Sequence, residues 1–280
     1  MISDALQVVD LDQADVAAGM ALSTEAGWNQ TAQDWEHFIA NGTAIGFRND
    51  EGRLVASAAA LPYGGAFGYV AMVLVTQDYR RRGLATQLVD RCIADLERRG
   101  RVPVLDATRD GATVYRKQGF LAQFAFDRWQ GVLHREPSVA LARPSGNQQD
   151  ATQIAALDKA AFGADRTALV SDFLARADTV SIVAEQRDGF ALIRAGRRAF
   201  QAGPVVAKSE AVALGLIESL LASVSGNVFI DVPQAWRRIG ARLADRGFTI
   251  QRSFTRMALG RAETFGNPAR LFAVAGPEFG

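Results

Sequence analysis

The spacing of hydrophobic residues changes sharply around residue 76. The run from Val70 to Val75 is apolar and rich in β-branched residues, which predicts a buried strand. From Leu84 to Leu96 the apolar residues recur at helical spacing and predict an amphipathic helix. A polar turn with three consecutive arginines, ending at Gly83, lies between them. The pattern therefore predicts a strand, a basic glycine loop and the N-terminus of a helix.

This arrangement favours an anionic ligand. A helix N-terminus offers N–H groups without intrahelical partners and carries partial positive charge, and the arginines add to the positive field. The sequence lacks the Gly-x-x-x-x-Gly-Lys-Ser/Thr loop of nucleoside triphosphate sites and the Gly-x-Gly-x-x-Gly fingerprint of dinucleotide sites. We therefore expect a phosphate ligand of another kind. A solvated basic turn before an ordinary helix is the alternative interpretation.

The rest of the first half alternates between short apolar runs and helical patterns. Asp12 and Thr31 are predicted to cap two early helices, and Asp106 to cap a later one. The predicted strands span residues 6–9, 44–47, 54–61, 67–75, 102–105 and 121–129. The pattern indicates an α/β protein.

Four segments of the first half recur in order in the second half. Leu105-Asp106 returns as Ile230-Asp231, and Gly119-Phe120 followed by Phe126-x-Arg128 returns as Gly247-Phe248 followed by Phe254-x-Arg256. Asp12–Ala18 likewise resembles Asp150–Ala156. We predict two tandem copies of one α/β unit, with domains at residues 1–136 and 137–280.

The two copies differ at the residues that are candidates for binding and catalysis. Counting back from Gly-Phe, Tyr115 of the first copy corresponds to Leu243 of the second. The arginine loop has no counterpart, because the equivalent segment Gly203–Lys208 lacks Arg-x-x-Gly. We therefore expect only the first copy to bind a phosphate ligand.

Composition narrows the class of protein. Among 280 residues, 49% are apolar and 22% charged, which is typical of a globular chain. The net charge of +1 gives no global field for nucleic acid or a membrane surface. The single cysteine, Cys92, falls on the apolar helix face and is predicted to fill the core. With only two histidines we expect no metal site, and without a leader or membrane-length segment we expect a cytoplasmic protein.

The loop Arg80-Arg81-Arg82-Gly83-Leu84-Ala85 matches the pattern Gln/Arg-x-x-Gly-x-Gly/Ala. With its flanking strand and helix, it resembles the GCN5-related N-acetyltransferase (GNAT) superfamily, in which this loop cradles the pyrophosphate of acetyl-coenzyme A. The whole chain, including Gly27-Trp28-Asn29, resembles a bacterial subgroup with a degenerate second domain. The resemblance implies two tandem GNAT-like domains, each a mixed, mostly antiparallel sheet flanked by helices.

The resemblance also implies roles for individual residues. Tyr115, just before Gly119-Phe120, would point at the coenzyme sulfur and act as the catalytic acid. Trp28 and Asn29, with Asp106, would contact the acceptor substrate. The backbone of Val73, Leu74 and Val75 would pair with the pantetheine arm. The arginine loop and the residues directly after it would bind the pyrophosphate. These residues are Arg80, Arg81, Arg82, Gly83, Leu84, Ala85 and Thr86.

The sequence leaves the general base and the acceptor open. Glu25, Asp34 and Asp106 are candidate bases, although Asp231 at the equivalent place in the second copy favours a structural role for Asp106. The expected reaction transfers an acetyl group from acetyl-coenzyme A to a small-molecule amine. Alternatives are a non-catalytic acyl-coenzyme A sensor and, less favoured, a protein N-acetyltransferase. Nucleic-acid binding is not expected, and an oligomer is compatible with the sequence.

Overall fold

The computed structural model describes residues 5–134 and 148–280, and this part of the chain forms eight α-helices and twelve β-strands. It contains two compact units, residues 1–104 and 105–280. The predicted domain junction at 136/137 lies outside the described residues and stays a prediction.

The first unit is a sheet flanked by helices. Its strands lie in the order β1-β2-β3-β4-β5, and all neighbours are antiparallel except β4 and β5, which are parallel. In chain order the elements are β1 Gln7–Asp10, α1 Val16–Glu25, α2 Ala32–Asn41, β2 Thr43–Arg48, β3 Leu54–Leu61, β4 Phe67–Val75, α3 Leu84–Arg98 and β5 Val102–Thr108. The last four residues of β5 belong to the second unit.

Local signals in the sequence account for these elements. Asp12 and Thr31 act as caps as predicted, and each forms a capping box, the first on the single turn that leads into α1 and the second on α2. Every residue of β3 is buried, so this strand is the centre of the unit's core. Cys92 fills the core as predicted, and burial raises the pKa of its thiol to about 12.

The second unit contains the end of the first copy and the whole of the described second copy. Its strand order is β11-β6-β10-β9-β8-β7, with β12 paired to β9, and β9 and β10 are parallel. In chain order the elements after β5 are α4 Arg109–Lys117, β6 Phe120–Leu133, α5 Gln148–Phe162, α6 Thr167–Ala175, β7 Val180–Val183, β8 Gly189–Arg194, β9 Phe200–Ala207, α7 Glu210–Ala222, β10 Gly226–Pro233, α8 Arg237–Asp245, β11 Thr249–Leu259 and β12 Leu271–Ala273.

The predicted repeat is confirmed, and its two copies exchange strands. Helices α4 and α8 are both nine residues long and are separated by 128 positions. Strand β6 comes from the first copy, but both of its edges pair with strands of the second copy, β10 and β11. Phe126 lies opposite its own repeat equivalent, Phe254, and the two rings stack 5.2 Å apart. Within the second unit, β6 and β11 are therefore related by an approximate twofold axis through this pair of rings.

Two buried ion pairs follow the same approximate symmetry. Arg128 of the first copy binds Asp231 of the second with two hydrogen bonds, of 2.8 and 2.7 Å. Arg256 of the second copy binds Asp106 of the first in the same way, at 2.9 and 2.8 Å. The prediction that Asp106 caps the next helix is wrong, because the cap of α4 is Thr108, whose side chain accepts from the Gly111 N–H. Asp106 instead joins the two copies.

Strand β12 lies where the parallel strands β9 and β10 stop pairing with each other. We call this place the fork between the two strands. Their ladder ends at the pair Ala202↔Ile230. Beyond that point β12 pairs with Val205 and Val206 on β9, and the Val274 N–H donates to the carbonyl oxygen of Asp231 on β10. Residues 271–274 thus supply backbone partners to both strands beyond the end of their ladder.

Candidate active site

The predicted basic glycine loop forms as expected between β4 and α3. A single 3-10 turn, Gln77–Tyr79, follows β4. Arg81 and Gly83 then take left-handed backbone conformations, with φ of 62° and 77°. Gly83 is the N-cap of α3 and supplies no side-chain acceptor. The first N–H groups of this 15-residue helix therefore have no side-chain cap, which leaves them available to an anion.

The arginine side chains of this loop place positive charge at the protein surface. Arg80 donates to the Val75 carbonyl, and Arg82 donates to the Asp78 carbonyl while its guanidinium lies 4.6 Å from the centre of the Tyr79 ring. All three arginines are exposed, and in the described part of the chain no carboxylate forms an ion pair with them. Charge of this kind, next to an uncapped helix N-terminus, attracts a phosphate group.

Glu25, at the end of α1, holds the start of this loop. Its carboxylate accepts from the Thr76 hydroxyl at 2.5 Å and from the Gln77 N–H at 2.6 Å, so it caps the 3-10 turn from a distant part of the chain. The Thr76 hydroxyl, followed by the Gln77 N–H and Arg53, lowers the pKa of Glu25 against the effect of burial. A carboxylate held in this way is a poor proton acceptor, which weakens the case for Glu25 as the general base.

Strand β4 contains a bulge at Met72. Between the pairs Ser57↔Leu74 and Ala59↔Ala71, β4 has one residue more than β3. Met72 takes a left-handed conformation with φ of 53°, and its carbonyl accepts from the buried Ser57 hydroxyl at 2.8 Å. Left-handed backbone at a residue other than glycine persists only where the surroundings hold it, and it is common at functional sites. The bulge directly precedes the three residues predicted to pair with pantetheine.

The predicted acceptor residues Trp28 and Asn29 lie in the turn between α1 and α2. Gly27, with φ of 69°, ends α1, and the Trp28 N–H donates to the Ser23 carbonyl. Trp28 is half-buried and Asn29 is buried. Because Glu25 is the last residue of α1, this turn is tied through Glu25 to the start of the arginine loop.

Tyr115 belongs to the second unit. It lies on α4, is half-buried, and its ring meets the Phe120 ring edge-on at 5.8 Å. Helix α4 packs against β6 and β11. The equivalent residue of the second copy, Leu243, is buried in an apolar cluster, so the second copy has no hydroxyl at this place.

The carboxylates of the other two candidate bases also accept hydrogen bonds from groups of the protein. Asp34 is buried and accepts from the Thr31 N–H in the capping box of α2. Asp106 has a fully buried carboxylate, and both of its oxygens accept from Arg256. Both carboxylates therefore already have hydrogen-bond partners within the protein.

The sequence did not reveal three parts of this arrangement. They are the cap that Glu25 provides, the bulge at Met72 and the ion pair of Asp106 with Arg256. The repeat of Leu-Asp and Phe-x-Arg contained a signal for the third, because both partners of the ion pair recur in the second copy. In the described residues no group of three or more His, Cys, Asp or Glu side chains could hold a metal ion. No helix there is long and apolar enough to cross a membrane.

Known proteins resemble both copies. The protein "Uncharacterized N-acetyltransferase YitH" of Bacillus subtilis (strain 168) is 26% identical over 249 residues, 86% of this chain and 87% of that protein. A putative acetyltransferase from Pyrococcus horikoshii has the same fold with a TM-score of 0.81, at 18% identity over 98% of this chain and 96% of that chain. A tandem GNAT protein from the clavulanic acid biosynthesis pathway matches with a TM-score of 0.64, at 16% identity over 92% of this chain and 100% of that chain.

Two family models match the sequence and together cover most of it. Residues 13–120 match the acetyltransferase (GNAT) family, and residues 154–273 match an acetyltransferase (GNAT) domain. These matches agree with the two copies of the fold and with the arginine loop of the first copy. The chain is thus a tandem-domain acyltransferase enzyme that belongs to the GNAT acetyltransferase family.

Proposed function

We propose that the chain transfers an acetyl group from acetyl-coenzyme A to a primary amine of a small molecule, by direct attack of the amine on the thioester. The observation that carries this proposal is the arginine loop. It combines an uncapped helix N-terminus, two left-handed residues and three exposed arginines that form no ion pair with a carboxylate of the described residues. Such a loop suits the pyrophosphate of a coenzyme A thioester.

In this proposal the donor is bound by backbone and charge. The loop residues Arg80–Thr86 hold the pyrophosphate through N–H groups and guanidinium groups. Val73, Leu74 and Val75 pair their backbone with the pantetheine arm. A backbone N–H next to the bulge at Met72 polarises the thioester carbonyl, and the Ser57 hydroxyl keeps the bulge in place.

The chemical step needs one acid. The amine nitrogen bonds to the carbonyl carbon, the carbon–sulfur bond breaks, and the thiolate takes a proton from the Tyr115 hydroxyl. A phenol is neutral at physiological pH and can make this transfer. The proton released by the attacking nitrogen restores the tyrosine. Trp28 and Asn29 form part of the acceptor site.

The amine reaches the site without its extra proton. Glu25, Asp34 and Asp106 are each engaged in hydrogen bonds or ion pairs, so we assign none of them as the base. The amine therefore loses its proton to solvent. We expect kcat/KM to rise with pH up to the pKa of the acceptor amine itself, instead of levelling off near the pKa of an enzyme carboxylate.

The engagement of these carboxylates also keeps a second candidate function open. A protein that binds acyl-coenzyme A as a sensor needs the arginine loop but no base. The two functions differ in one respect, because a sensor would bind acetyl-coenzyme A without releasing free coenzyme A in the presence of any amine.

Calorimetric titration with acetyl-coenzyme A, coenzyme A and ATP tests the proposal. We expect one equivalent of acetyl-coenzyme A per chain and no binding of ATP. Arg80→Ala with Arg82→Ala should weaken acetyl-coenzyme A binding about 100-fold, because two charge-assisted contacts are lost. The control is Arg237→Ala with Arg238→Ala, two exposed arginines of α8. Equal affinity in both double variants, or no binding by the natural chain, would refute the loop assignment.

A further inference from the structure

We propose that Arg256 of the second copy is a positioning residue for Tyr115 of the first copy. This inference rests on the proposed function, in which Tyr115 is the catalytic acid. It gives the second copy a role in the reaction although that copy lacks both the arginine loop and the tyrosine. All the residues concerned lie in the second unit, between residues 105 and 280.

The ion pair of Arg256 with Asp106 fixes the entry to α4. The guanidinium meets both carboxylate oxygens, and the exposed fractions of the two side chains are 6% and 0%. The Phe124 ring lies 4.9 Å from the guanidinium and shields it further. Asp106 is two residues before Thr108, the cap of α4. A bidentate ion pair at this depth allows little movement of the strand end from which the helix starts.

Strand β11 of the second copy also holds the other end of α4. The Gly260 N–H donates to the Gly119 carbonyl at 3.0 Å, and Leu259 lies opposite Phe120 in the β6–β11 ladder. Phe120 in turn provides the edge-on ring contact to Tyr115. The second copy therefore fixes the backbone on both sides of the helix that bears the tyrosine.

The helix needs this support because it is short. An isolated helix of nine residues is unstable in water, so the direction of α4 depends on its two ends and on its packing against β6 and β11. A general acid must lie within hydrogen-bond reach of the leaving group, and a displacement of about 1 Å can slow a reaction about 100-fold. The position of the Tyr115 hydroxyl thus depends on Arg256.

The approximate symmetry supplies a matched control. The ion pair of Arg128 with Asp231 has the same geometry and similar burial, but Asp231 precedes α8, which has Leu243 where α4 has Tyr115. Gln201 also donates to Asp231, at 2.9 Å. Removing the control pair should therefore cost at least as much stability as removing the pair of Arg256, while leaving α4 intact.

The experiment compares two double variants of the full chain, Arg256→Gln with Asp106→Asn and Arg128→Gln with Asp231→Asn. Replacing both partners avoids leaving an uncompensated buried charge. The protein is labelled with 3-fluorotyrosine, which gives four fluorine signals because the chain has four tyrosines. Tyr115 is the only tyrosine in residues 105–280, and Tyr115→Phe assigns its signal.

We expect the Tyr115 signal to shift or broaden in the Arg256 variant and to stay unchanged in the Arg128 variant. With the amine found in a screen, kcat should fall at least about 10-fold in the Arg256 variant while the acetyl-coenzyme A dissociation constant changes less than about 2-fold. The Arg128 variant should keep kcat within about 2-fold. Equal effects of the two variants on the signal and on kcat would overturn the proposal.

Two further outcomes are distinguishable. If the Arg256 double variant does not fold, Arg256→Lys retains a charge at Asp106 and should give a smaller shift and a smaller loss of kcat, whereas an unchanged signal and kcat would contradict the inference. If the natural chain does not bind acetyl-coenzyme A, the proposed function fails. The fluorine comparison would still decide whether Arg256 positions Tyr115.

Discussion

Helices α3 and α7, which follow β4 and β9, begin in opposite ways. Helix α3 starts at Gly83, which offers no side-chain acceptor, and three exposed arginines directly precede it. Helix α7 starts at Ser209, whose hydroxyl accepts from the Val212 N–H, and Glu210 places a negative charge in its first turn. The second helix satisfies its own N-terminus, whereas the N-cap residue of the first supplies no acceptor, which suits the proposed phosphate site.

The two pairs of parallel strands, β4 with β5 and β9 with β10, also differ beyond the point where their ladders end. In the first unit the β4–β5 ladder ends at Tyr69↔Val104, and β4 continues through the bulge to Val75. In the second unit the fork beyond Ala202↔Ile230 is filled by β12 and Val274. Trp236 holds this filling strand, since its indole N–H donates to the Leu271 carbonyl at 2.7 Å and its ring lies 4.2 Å from the Phe272 ring.

The comparison shows how one copy of the fold satisfies its own backbone at the places where the other copy has the proposed binding site. Every polar backbone group that a ligand could satisfy must find another partner or remain in contact with water. In the second copy the chain itself supplies those partners at the helix N-terminus and in the fork. Four predictions test this contrast, beginning with the largest expected effect.

Placing a carboxylate at the start of α3 should abolish the difference between the two helices. Gly83→Asp adds negative charge beside the ligand and a side chain at a left-handed position, so we expect acetyl-coenzyme A affinity to fall about 1,000-fold, or about 4 kcal/mol. Ser209→Asp at the start of α7 is the control and should leave affinity unchanged. Calorimetry measures both variants, and a similar loss in each would contradict the assignment of the site to α3.

Replacing Tyr115 by the residue of the second copy should remove the acid but not the donor site. Tyr115→Leu and Tyr115→Phe should both reduce kcat about 100-fold and change acetyl-coenzyme A affinity less than about 2-fold. Thiol release measured with a coloured disulfide reagent gives kcat. A normal kcat in Tyr115→Phe would remove the hydroxyl from the mechanism.

Weakening the attachment of β12 should lower the stability of the protein without creating a second site for acetyl-coenzyme A. Trp236→Phe loses the hydrogen bond to Leu271 and part of the ring contact, so we expect the free energy of unfolding to fall by about 1.5 kcal/mol. Urea titration measures this change. Acetyl-coenzyme A should still bind at one equivalent per chain because Ser209 continues to cap α7. A second equivalent would show that β12 alone closes the second copy.

The smallest effect is expected at Glu25, where the hydrogen bonds are close to solvent. Glu25→Gln should weaken acetyl-coenzyme A binding about 3-fold, because the cap on the 3-10 turn loses its charge. Hydrogen bonds lower the pKa of Glu25 below its ordinary 4.5, so its stabilising effect is complete above pH 4.5 and is lost as the pH falls through the lowered pKa.

Unfolding measured at a series of pH values should show this dependence. The natural chain should exceed Glu25→Gln in stability by a constant amount from neutral pH down to pH 4.5, and the difference should shrink in more acidic solution. A difference that grows on acidification would contradict the direction of the pKa shift. Asp50→Asn, at an exposed carboxylate between β2 and β3, serves as the control for a general effect of charge.

The sequence by itself determined the local elements and the repeat. Capping residues such as Thr31 and the change of period around residue 76 predicted helices and strands that the structure confirms, because those signals act over a few residues. The phosphate loop was also predictable, since strand, glycine and helix start are adjacent in the chain. The matches of Leu-Asp, Gly-Phe and Phe-x-Arg identify two copies from the sequence alone.

Only the tertiary structure decided which strands of one copy pair with strands of the other copy. The contact between Asp106 and Arg256 joins residues 150 positions apart, and that between Glu25 and Thr76 joins residues 51 apart. No local pattern specifies such pairs, because they depend on the exchange of β6 and β11 and on how the end of α1 meets the turn after β4. The bulge at Met72 likewise arises from the register of two strands, which is set when the whole sheet packs.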